Sequence, residues 1–405
     1  MKLVYPAILV SFILSFYSCQ PTPSAAELAA AAKGQEAILL HQPDPYQERL
    51  DKVAIQFDRY IQQKMQEYQL PGLAYAIVKD GQVLSMHSYG FRKVGKPDTI
   101  NENTSFRLAS VSKGFAAVLA GVLVEKGYFG WDDKIVEHLP GFKLSKPQAT
   151  NNLSLRHTLS QTSGLSKYSG GSYIYQGLSY PSILKKMRFA KVEKTAGKVY
   201  AYQNAIFSVI HQLSEATTNQ SYEMLMDSLL FIPLGMKNAT LGYQKMMQQA
   251  NKGLPHVRRK KGWKAANIRK NWYNVPPAAG VNASVSDMAK WLNAMLGHYP
   301  EVVPPSVLKE VFTRHIPIND DSDYYQTWFP GLAQASYGMG WRIFDYHQHK
   351  ILYHGGYVRG YRPEIGLCPK EDVGVVFLTN ASKNDLSSAC IKAFFDIYFA
   401  PELPS

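Results

Sequence analysis

The sequence of 405 residues predicts an α+β fold, an α/β sandwich in which one antiparallel sheet is built from both ends of the chain. Helices flank this sheet, and a second lobe is mostly helical. Three observations support the prediction. Strand-like segments occur near both ends, an apolar helix closes the chain, and the long middle contains helical segments separated by loops rich in Tyr, Gly and Ser. The apolar fraction of 46% and charged fraction of 19% are typical of a globular protein rather than a disordered one.

The first structured elements are predicted to be a helix and a β-hairpin. Residues 46–68 carry apolar side chains at a helical spacing, namely Leu50, Val53, Phe57, Ile61 and Met65. Two strand-like segments, LAYAIV and QVLSMHSYG, then flank Lys79-Asp80-Gly81. Because Asp-Gly is a strong signal for a tight turn, we expect these two strands to pair as a hairpin.

The C-terminal part is predicted to contain four successive strands and a helix. The strands are YGMGWRIFDY, KILYHGG, GYRPEIGLC and DVGVVFLTN, and the helix is LSSACIKAFFDIYFA. Since several of these segments are strongly apolar, we expect helices on both faces of the sheet. The sheet lobe would comprise about residues 46–106 and 309–400, and the helical lobe about residues 107–308. A cleft between two such lobes is the expected place for a site.

The N-terminus is predicted to be a signal peptide, residues 1–19, followed by a tether, residues 20–45. A lysine precedes an apolar run too short to cross a membrane. The run ends in FYSC, which resembles the bacterial lipoprotein cleavage box, with Cys19 as the lipidated residue. Phe16 and Tyr17 are bulkier than the usual residues, so plain secretion is the alternative. We therefore expect an exported protein, either periplasmic or anchored to a bacterial membrane as a lipoprotein.

The net charge of +13 has a local source in residues 256–270. This stretch, HVRRKKGWKAANIRK, holds eight basic residues and no acid. One interpretation is a solvated hairpin, and the other is contact with an anionic envelope surface such as phospholipid or wall polymer. An exported protein has little access to nucleic acid, so we expect no nucleic-acid partner. We expect a monomer.

The cysteines and histidines do not predict a metal site, and we expect no cofactor. After Cys19 only Cys368 and Cys390 remain. These two either pair in an oxidising compartment or are small core residues. The His347-Gln348-His349 segment has two imidazoles without an evident third ligand, and we expect it at a hairpin turn.

Ser110 and Lys113 are candidates for a nucleophile and its proton acceptor. They lie three residues apart at the start of an apolar helix, and side chains at this spacing share a helix face. Lysine acts as a base only when neutral, so its pKa must be lowered by burial and by neighbouring positive charge. The same Ser-x-x-Lys spacing occurs at Ser182/Lys185 and at Ser306/Lys309. Both look-alikes follow proline, and we interpret the serines as helix N-caps with exposed lysines one turn later.

Two further motifs complete the candidate site. In Tyr202-Gln203-Asn204, the tyrosine is a candidate base or proton relay and Asn204 a partner for a substrate amide or for Lys113. Each motif is unspecific when considered alone. In His354-Gly355-Gly356, the glycines allow another backbone to approach closely. The backbone N–H groups of Tyr357 and Ser110 are candidates for an oxyanion hole.

The order and spacing of the three motifs resemble those of the serine β-lactamases and penicillin-binding proteins. The resemblance is to the class C β-lactamase-related branch, which includes D,D-peptidases, D-aminopeptidases and esterases, and it covers roughly residues 46–400. It implies an antiparallel sheet with flanking helices and a helical lobe, and a serine hydrolase that forms an acyl-enzyme on an amide or ester. It further implies the catalytic residues Ser110, Lys113 and Tyr202. We expect the substrate-binding residues to be Asn204, His354, Gly355, Gly356, Tyr357 and Arg359.

One motif departs from that of the class C enzymes, which carry Lys-Thr-Gly in place of His354-Gly355-Gly356. The permanent charge and the hydroxyl that help to hold a carboxylate are therefore missing. His354 replaces the charge only when it is protonated, and Arg359 and Arg362 are candidates for a carboxylate clamp. The sequence therefore does not choose between a β-lactam, a peptidoglycan-derived D-amino-acid peptide and an ester as the substrate. Nothing in the sequence identifies Glu193 with the deacylation glutamate of the class A enzymes. A non-catalytic or very slow wall-peptide-binding protein is the alternative function.

Overall fold

The computed structural model describes residues 24–26, 44–319, 322–382 and 384–401. The described residues from Leu50 onwards form one compact unit. The predicted signal peptide, Cys19 and most of the predicted tether lie outside the described residues. No helix among the described residues is long and apolar enough to cross a membrane.

The main sheet has eight strands, and all neighbouring strands are antiparallel. In spatial order the strands are β2 (Gln82–Gly90), β1 (Gly72–Lys79), β13 (Val373–Thr379), β12 (Glu364–Cys368), β11 (His349–Gly355), β10 (Arg342–Tyr346), β9 (Gln334–Tyr337) and β8 (Ile316–Pro317). The pairing of β1 with β13 joins the two ends of the folded chain, with Tyr75 opposite Phe377. The predicted sheet from both chain ends is confirmed.

Most helices lie in the middle of the chain. Those of at least seven residues are α1 (Pro45–Glu67), α2 (Ser112–Glu125), α7 (Tyr180–Lys186), α8 (Val209–Thr218), α12 (Val285–Met295), α13 (Pro305–Val311), α14 (Ser322–Trp328) and α15 (Asp385–Phe399). The shorter ones are α3 (Ile135–His138), α4 (Pro147–Asn152), α5 (Leu155–Leu159), α6 (Gly171–Tyr175), α9 (Tyr222–Met226), α10 (Tyr243–Gln248) and α11 (Pro276–Ala279). The middle also contains a three-stranded sheet of β3 (Phe106–Arg107), β7 (Val281–Ala283) and β4 (Thr240–Leu241), and a hairpin of β5 (His256–Arg259) and β6 (Gly262–Ala265).

Strand β1 shows how both faces of the main sheet are buried. All eight of its residues are buried, and alternate side chains belong to different cores because successive side chains of a strand point to opposite faces. Leu73, Tyr75 and Ile77 join the core that contains Phe57 of α1 and Phe394 of α15. Ala74, Ala76 and Val78 join the core that contains α2 and α12.

Both predicted tight turns are confirmed. Asp80 and Gly81 have φ of 51° and 74°, and His347 and Gln348 have φ of 48° and 62°, as expected for residues in two-residue hairpin turns. Cys368 and Cys390 are free thiols in the core, which agrees with their interpretation as small core residues.

The prediction of one strand over YGMGWRIFDY is wrong, because the segment contributes to β9 and β10 with a turn between them. Gly340 in that turn has a φ of +72°, a left-handed conformation that favours glycine. The predicted strand GYRPEIGLC is also too long. Only Glu364–Cys368 is extended, since Tyr361 pairs with Val358 in a turn before Pro363.

Candidate active site

Ser110 lies in a 3₁₀ turn, Ala109–Val111, that leads directly into α2. Its neighbour Ala109 has a φ of +46°, a conformation that L-residues adopt rarely and that must be held by surrounding contacts. Leu108 N–H donates to Val281 O at 2.9 Å on one side of this turn. On the other side lies Gly356, where a Cβ would come within 2.5 Å of Leu108 O. The second glycine of the predicted motif is therefore required for close packing against the Ser110 turn.

Lys113 is completely buried on the first turn of α2, and its Nζ has three oxygen neighbours. Nζ lies 2.7 Å from Asn204 Oδ1, 3.1 Å from Ala278 O and 3.3 Å from Ser110 Oγ. A carbonyl oxygen accepts hydrogen bonds and cannot donate. A neutral amine would therefore donate its two hydrogens to the two carbonyl oxygens and direct its lone pair towards the serine hydroxyl.

The start of α2 is fixed by the turn between β9 and β10. A Cβ on Gly340 would lie 2.3 Å from Lys113 O, and a Cβ on Gly114 would lie 3.0 Å from the indole of Trp341. Only glycines permit this approach of the two backbones. The turn that interrupts the predicted strand is thus also the contact that positions the lysine.

The predicted partners Tyr202 and Asn204 come from a loop before α8 that is bound to Gln161. Gln161 Nε2 donates to Gln203 O at 3.1 Å, and Gln203 N–H donates to Gln161 Oε1 at 2.6 Å. Tyr202 is 7% exposed, and an interaction with Ser110 is one of the influences that lower the pKa of its phenol. Lys113 Nζ lies 4.8 Å from the centre of the Tyr202 ring. The structure therefore brings together the three residues predicted to be catalytic.

Burial and one neighbouring cation set the charge of these groups. Burial, and then the positive charge of Arg342, hold the pKa of Lys113 well below its usual value. Burial raises the pKa of Tyr202, while the charge of Arg342 and hydrogen bonds with Ser110 and Arg342 oppose the rise. The lowered pKa of Lys113 favours its neutral amine, and the raised pKa of Tyr202 favours its protonated phenol.

Arg342 was not among the predicted site residues. Its guanidinium carbon lies 5.5, 5.3 and 6.0 Å from the ring centres of Tyr202, Tyr325 and Tyr337. It stands on β10, inside the segment YGMGWRIFDY that the sequence predicted only as a strand. An arginine in a strand gives no local signal of this role, because its neighbours come from distant parts of the chain.

His354 is 1% exposed at the end of β11. Its Nε2 lies 3.4 Å from the Tyr337 hydroxyl and its Nδ1 lies 2.9 Å from Gly355 O. Burial, followed by the charges of Arg342 and Lys113, holds its pKa well below the usual value. The imidazole is therefore neutral above pH 6.5, which does not favour the carboxylate-binding role considered from the sequence.

A cavity of about 1050 Å³ opens at Ser110. Of the six candidate substrate-binding residues, Asn204, Tyr357 and Arg359 line it, whereas His354, Gly355 and Gly356 do not. The Asn204 amide nitrogen and the Tyr357 N–H make no hydrogen bond to any residue that the structure describes. Arg362, in contrast, donates to the fully buried Glu364 at 2.6 Å and does not line this cavity. Of the two arginines suggested as a clamp, only Arg359 faces the site.

The two look-alike motifs lack the surroundings of Lys113. Ser182, Lys185, Ser306 and Lys309 are all exposed. The prediction that the serines are N-caps is wrong, because Ser179 and Pro304 occupy the cap positions. Pro181 and Pro305 are the second and first residues of their helices. Glu193 is also exposed and pairs with Lys191 at 3.1 Å, outside the cavity.

One group among the described residues brings three possible metal ligands together, within 4.8 Å of one another: Asp133, Glu137 and His138. Protein groups already occupy these atoms. Gly130 N–H donates to Asp133 Oδ2, His138 Nε2 lies 2.9 Å from the same oxygen, and Lys134 N–H donates to Glu137 Oε2. The group does not line the cavity at Ser110.

Comparison with known proteins identifies the family. The family described as Beta-lactamase matches residues 57–390, most of the chain. The chain belongs to the β-lactamase family. Its fold and its matches also place it in the wider superfamily of serine β-lactamases and penicillin-binding proteins, which confirms the resemblance inferred from the three motifs.

The relatives within this β-lactamase superfamily are distant. "Unguisins hydrolase ungD'" of Aspergillus campestris is 26% identical over 84% of this chain and 64% of its own length. "Protein flp" of Staphylococcus aureus is 22% identical over 80% of this chain and 62% of its own length. The chain thus spans less than two thirds of these relatives. The solved structure of the octameric penicillin-binding protein homologue from Pyrococcus abyssi has a TM-score of 0.73 at 22% identity, covering 84% of this chain and 76% of that one, and it shares the fold.

Proposed function

We propose that this β-lactamase-family protein is a serine hydrolase of the class C-related branch that forms an acyl-enzyme at Ser110 on an amide or ester substrate. One observation carries the proposal. Lys113 Nζ is buried between two oxygens that can only accept hydrogen bonds, Asn204 Oδ1 and Ala278 O. The third neighbour of this nitrogen is Ser110 Oγ, towards which a neutral amine would direct its lone pair. A buried amine whose pKa is lowered beside a hydroxyl is typical of an activated nucleophile. The hydrolase named among the relatives supports the same assignment.

In the proposed acylation, Ser110 Oγ attacks the substrate carbonyl carbon and its proton passes to Lys113 Nζ. The negative oxygen that develops would be bound by the backbone N–H groups of Ser110 and Tyr357. Tyr202 would give its proton to the leaving nitrogen or oxygen as the carbonyl bond to that atom breaks, and would be reprotonated from Lys113. Water then hydrolyses the ester at Ser110 and regenerates the hydroxyl.

Asn204 lines the cavity, and its amide nitrogen would donate to the carbonyl of a substrate amide. Its Oδ1 accepts from Lys113 at the same time. Asn204 would thereby couple substrate position to the position of the base.

Export is part of the proposal and is supported by the sequence alone. The lysine followed by the short apolar run and the lipobox-like FYSC favour a lipoprotein anchored through Cys19. Intact-mass analysis of the protein purified from the membrane fraction tests this. A Cys19→Ala variant should lose the lipid mass and leave that fraction.

A substrate panel tests the proposed reaction. The purified protein is assayed with nitrocefin, a D-Ala-D-Ala peptide and p-nitrophenyl esters of short acids, with and without prior treatment by a fluorophosphonate. We expect hydrolysis of at least one class, and loss of that hydrolysis after fluorophosphonate treatment. Absence of turnover on all three classes would instead favour a binding protein, and turnover that resists fluorophosphonate would contradict the proposed serine nucleophile.

The neutral state of His354 predicts how the rate depends on pH. Because its pKa is held well below the usual value, the imidazole carries no charge to lose as pH rises above 6.5. We expect kcat/KM on carboxylate-bearing substrates not to decline between pH 6.5 and 8. A decline over this range that is absent from His354→Gln would show that the protonated imidazole binds the carboxylate after all.

A further inference from the structure

The cavity at Ser110 has a strongly unbalanced charge. Five arginines line it, Arg107, Arg258, Arg259, Arg269 and Arg359, and no aspartate or glutamate does. Three of them come from the basic stretch 256–270, so this stretch borders the candidate active site. The five come from three separate parts of the chain, which the fold brings to one cavity.

Arg107 is the clearest sign that this wall is built to receive an anion. It is 2% exposed, and its Nη1 and Nη2 donate to the carbonyl oxygens of Arg269 and Ala279 at 3.1 and 3.5 Å. Its Nε has no hydrogen-bond partner, and its charge lies 3.8 Å from the centre of the Tyr273 ring. A buried guanidinium without a carboxylate is unfavourable unless another negative charge compensates it.

The other four arginines of the cavity are also without a carboxylate. None makes an ion pair with an acid in the part of the chain that the structure describes. Arg258 donates to the carbonyl of Tyr68 and lies over Trp263, and Arg359 is half-buried beside Ser110. Elsewhere, arginines do pair with acids: Arg92 with Asp98, Arg156 with Asp132, Arg314 with Asp345 and Arg362 with Glu364.

We propose that this arginine wall selects substrates whose non-reacting part carries at least two negative charges, as carboxylates or as a phosphate-like group. The inference rests on the proposed function, since the reacting carbonyl must reach Ser110 while the anionic part contacts the wall. Arginine suits this task because its charge is permanent and its planar group binds carboxylate or phosphate through two hydrogen bonds. His354, which is neutral, then has no part in binding the anion.

The volume of the cavity is compatible with such a substrate. About 1050 Å³ is at the upper end for small-molecule sites, so an acyl group and a second charged group fit together. The aromatic side chains of Tyr175 and Trp272 also line it.

Matched esters measure the selectivity directly. p-Nitrophenyl esters of glycine are prepared with five N-acyl groups: acetyl (neutral), succinyl (one negative charge), tricarballylyl (two carboxylates), phosphonoacetyl (a phosphonate) and betainyl (positive). We expect kcat/KM to rise with negative charge, by about 30-fold from acetyl to the better dianion at low salt, and to be lowest for betainyl. The two dianionic arms distinguish a dicarboxylate from a phosphate-like ligand. The preference should weaken as salt is added.

Variants assign the selectivity to the wall. The double variant Arg269→Gln/Arg359→Gln should lower the ratio of kcat/KM on the dianionic ester to that on the acetyl ester at least fivefold. Lys261→Gln is the matched control, because it removes a charge from the same hairpin outside the cavity, and its ratio should stay within twofold of wild type. Equal rates on all five esters, or equal effects of the double variant and the control, would overturn the proposal.

A binding measurement separates this inference from the proposed function. Calorimetry on Ser110→Ala with the N-methylamides of tricarballylylglycine, phosphonoacetylglycine and acetylglycine should show the same charge order without any chemistry. Charge-ordered binding with no turnover by wild type would retain the arginine wall and reject the hydrolase. Turnover without charge preference would retain the hydrolase and reject the arginine wall. The protein could instead bind anionic vesicles, lose that binding equally in Lys261→Gln and in the double variant, and show no preference for the dianionic amides. This result would assign the basic stretch to the envelope surface and overturn the proposal.

Discussion

Replacing Ser110 by alanine is expected to lower kcat/KM at least 10³–10⁴-fold on whichever substrate the wild-type protein hydrolyses. The variant removes the only atom proposed to form a bond with the substrate carbonyl, and the residual rate would come from the remaining binding and oxyanion groups. The change deletes a single oxygen from a half-buried side chain, so the fold should be kept. Steady-state kinetics with the panel, alongside thermal unfolding of both proteins, measures the effect.

The chain provides its own matched control for this variant. Ser182 has the same spacing to Lys185, but both side chains are exposed and Ser182 Oγ lies 2.9 Å from Ser179 Oγ. Ser182→Ala should therefore keep wild-type kinetics. Similar losses in the two alanine variants would show that the effect is not specific to the site.

Replacing Lys113 by methionine is expected to lower kcat/KM by about 10²–10⁴-fold, the range typical of a lost general base. Methionine has nearly the length of lysine but offers no lone pair of comparable basicity to the Ser110 proton. The variant also leaves Asn204 Oδ1 and Ala278 O without their donor, at a cost of about 1–3 kcal/mol in stability for each such buried group. Lys113→Arg keeps a donor but cannot lose its charge, so it should be inactive too. Lys185→Met is the control.

The pH profile identifies the lysine as the base. Burial and Arg342 lower the pKa of Lys113, so the amine is neutral above that lowered pKa and becomes protonated as pH falls through it. We expect kcat/KM to fall on the acid side. Arg342→Gln removes a neighbouring positive charge, raises the pKa of Lys113 and should move this acid limb to higher pH. An unchanged acid limb in Arg342→Gln would assign it to another group.

Much of the fold followed from the sequence because its signals are local. The Asp80-Gly81 turn, the helical spacing of α1 and the apolar C-terminal strands each reflect preferences that a short segment expresses by itself. The split of Tyr337–Tyr346 into two strands was missed because its cause is tertiary. The turn at Gly338–Gly340 packs against the backbone of Lys113, a contact between segments far apart in sequence.

In the candidate site, too, the features with a local sequence signal were predicted and those that depend on tertiary contacts were not. The order of the three motifs led to Ser110, Lys113 and Tyr202, which the structure places in contact. The charge state of His354 could not be predicted, because it depends on complete burial and on Arg342 and Lys113 nearby. For the basic stretch 256–270 the sequence left two interpretations. Neither placed it beside Ser110, since that position depends on where the β5–β6 hairpin packs.

The most direct test of the central claim is acid quenching during turnover of the best substrate, followed by mass spectrometry of the intact protein and of its peptides. We predict a mass increase equal to the substrate's acyl group, located on Ser110, in wild type and not in Ser110→Ala. An adduct on another residue, or an equal increase in Ser110→Ala, would contradict the assignment of Ser110 as the acylated nucleophile.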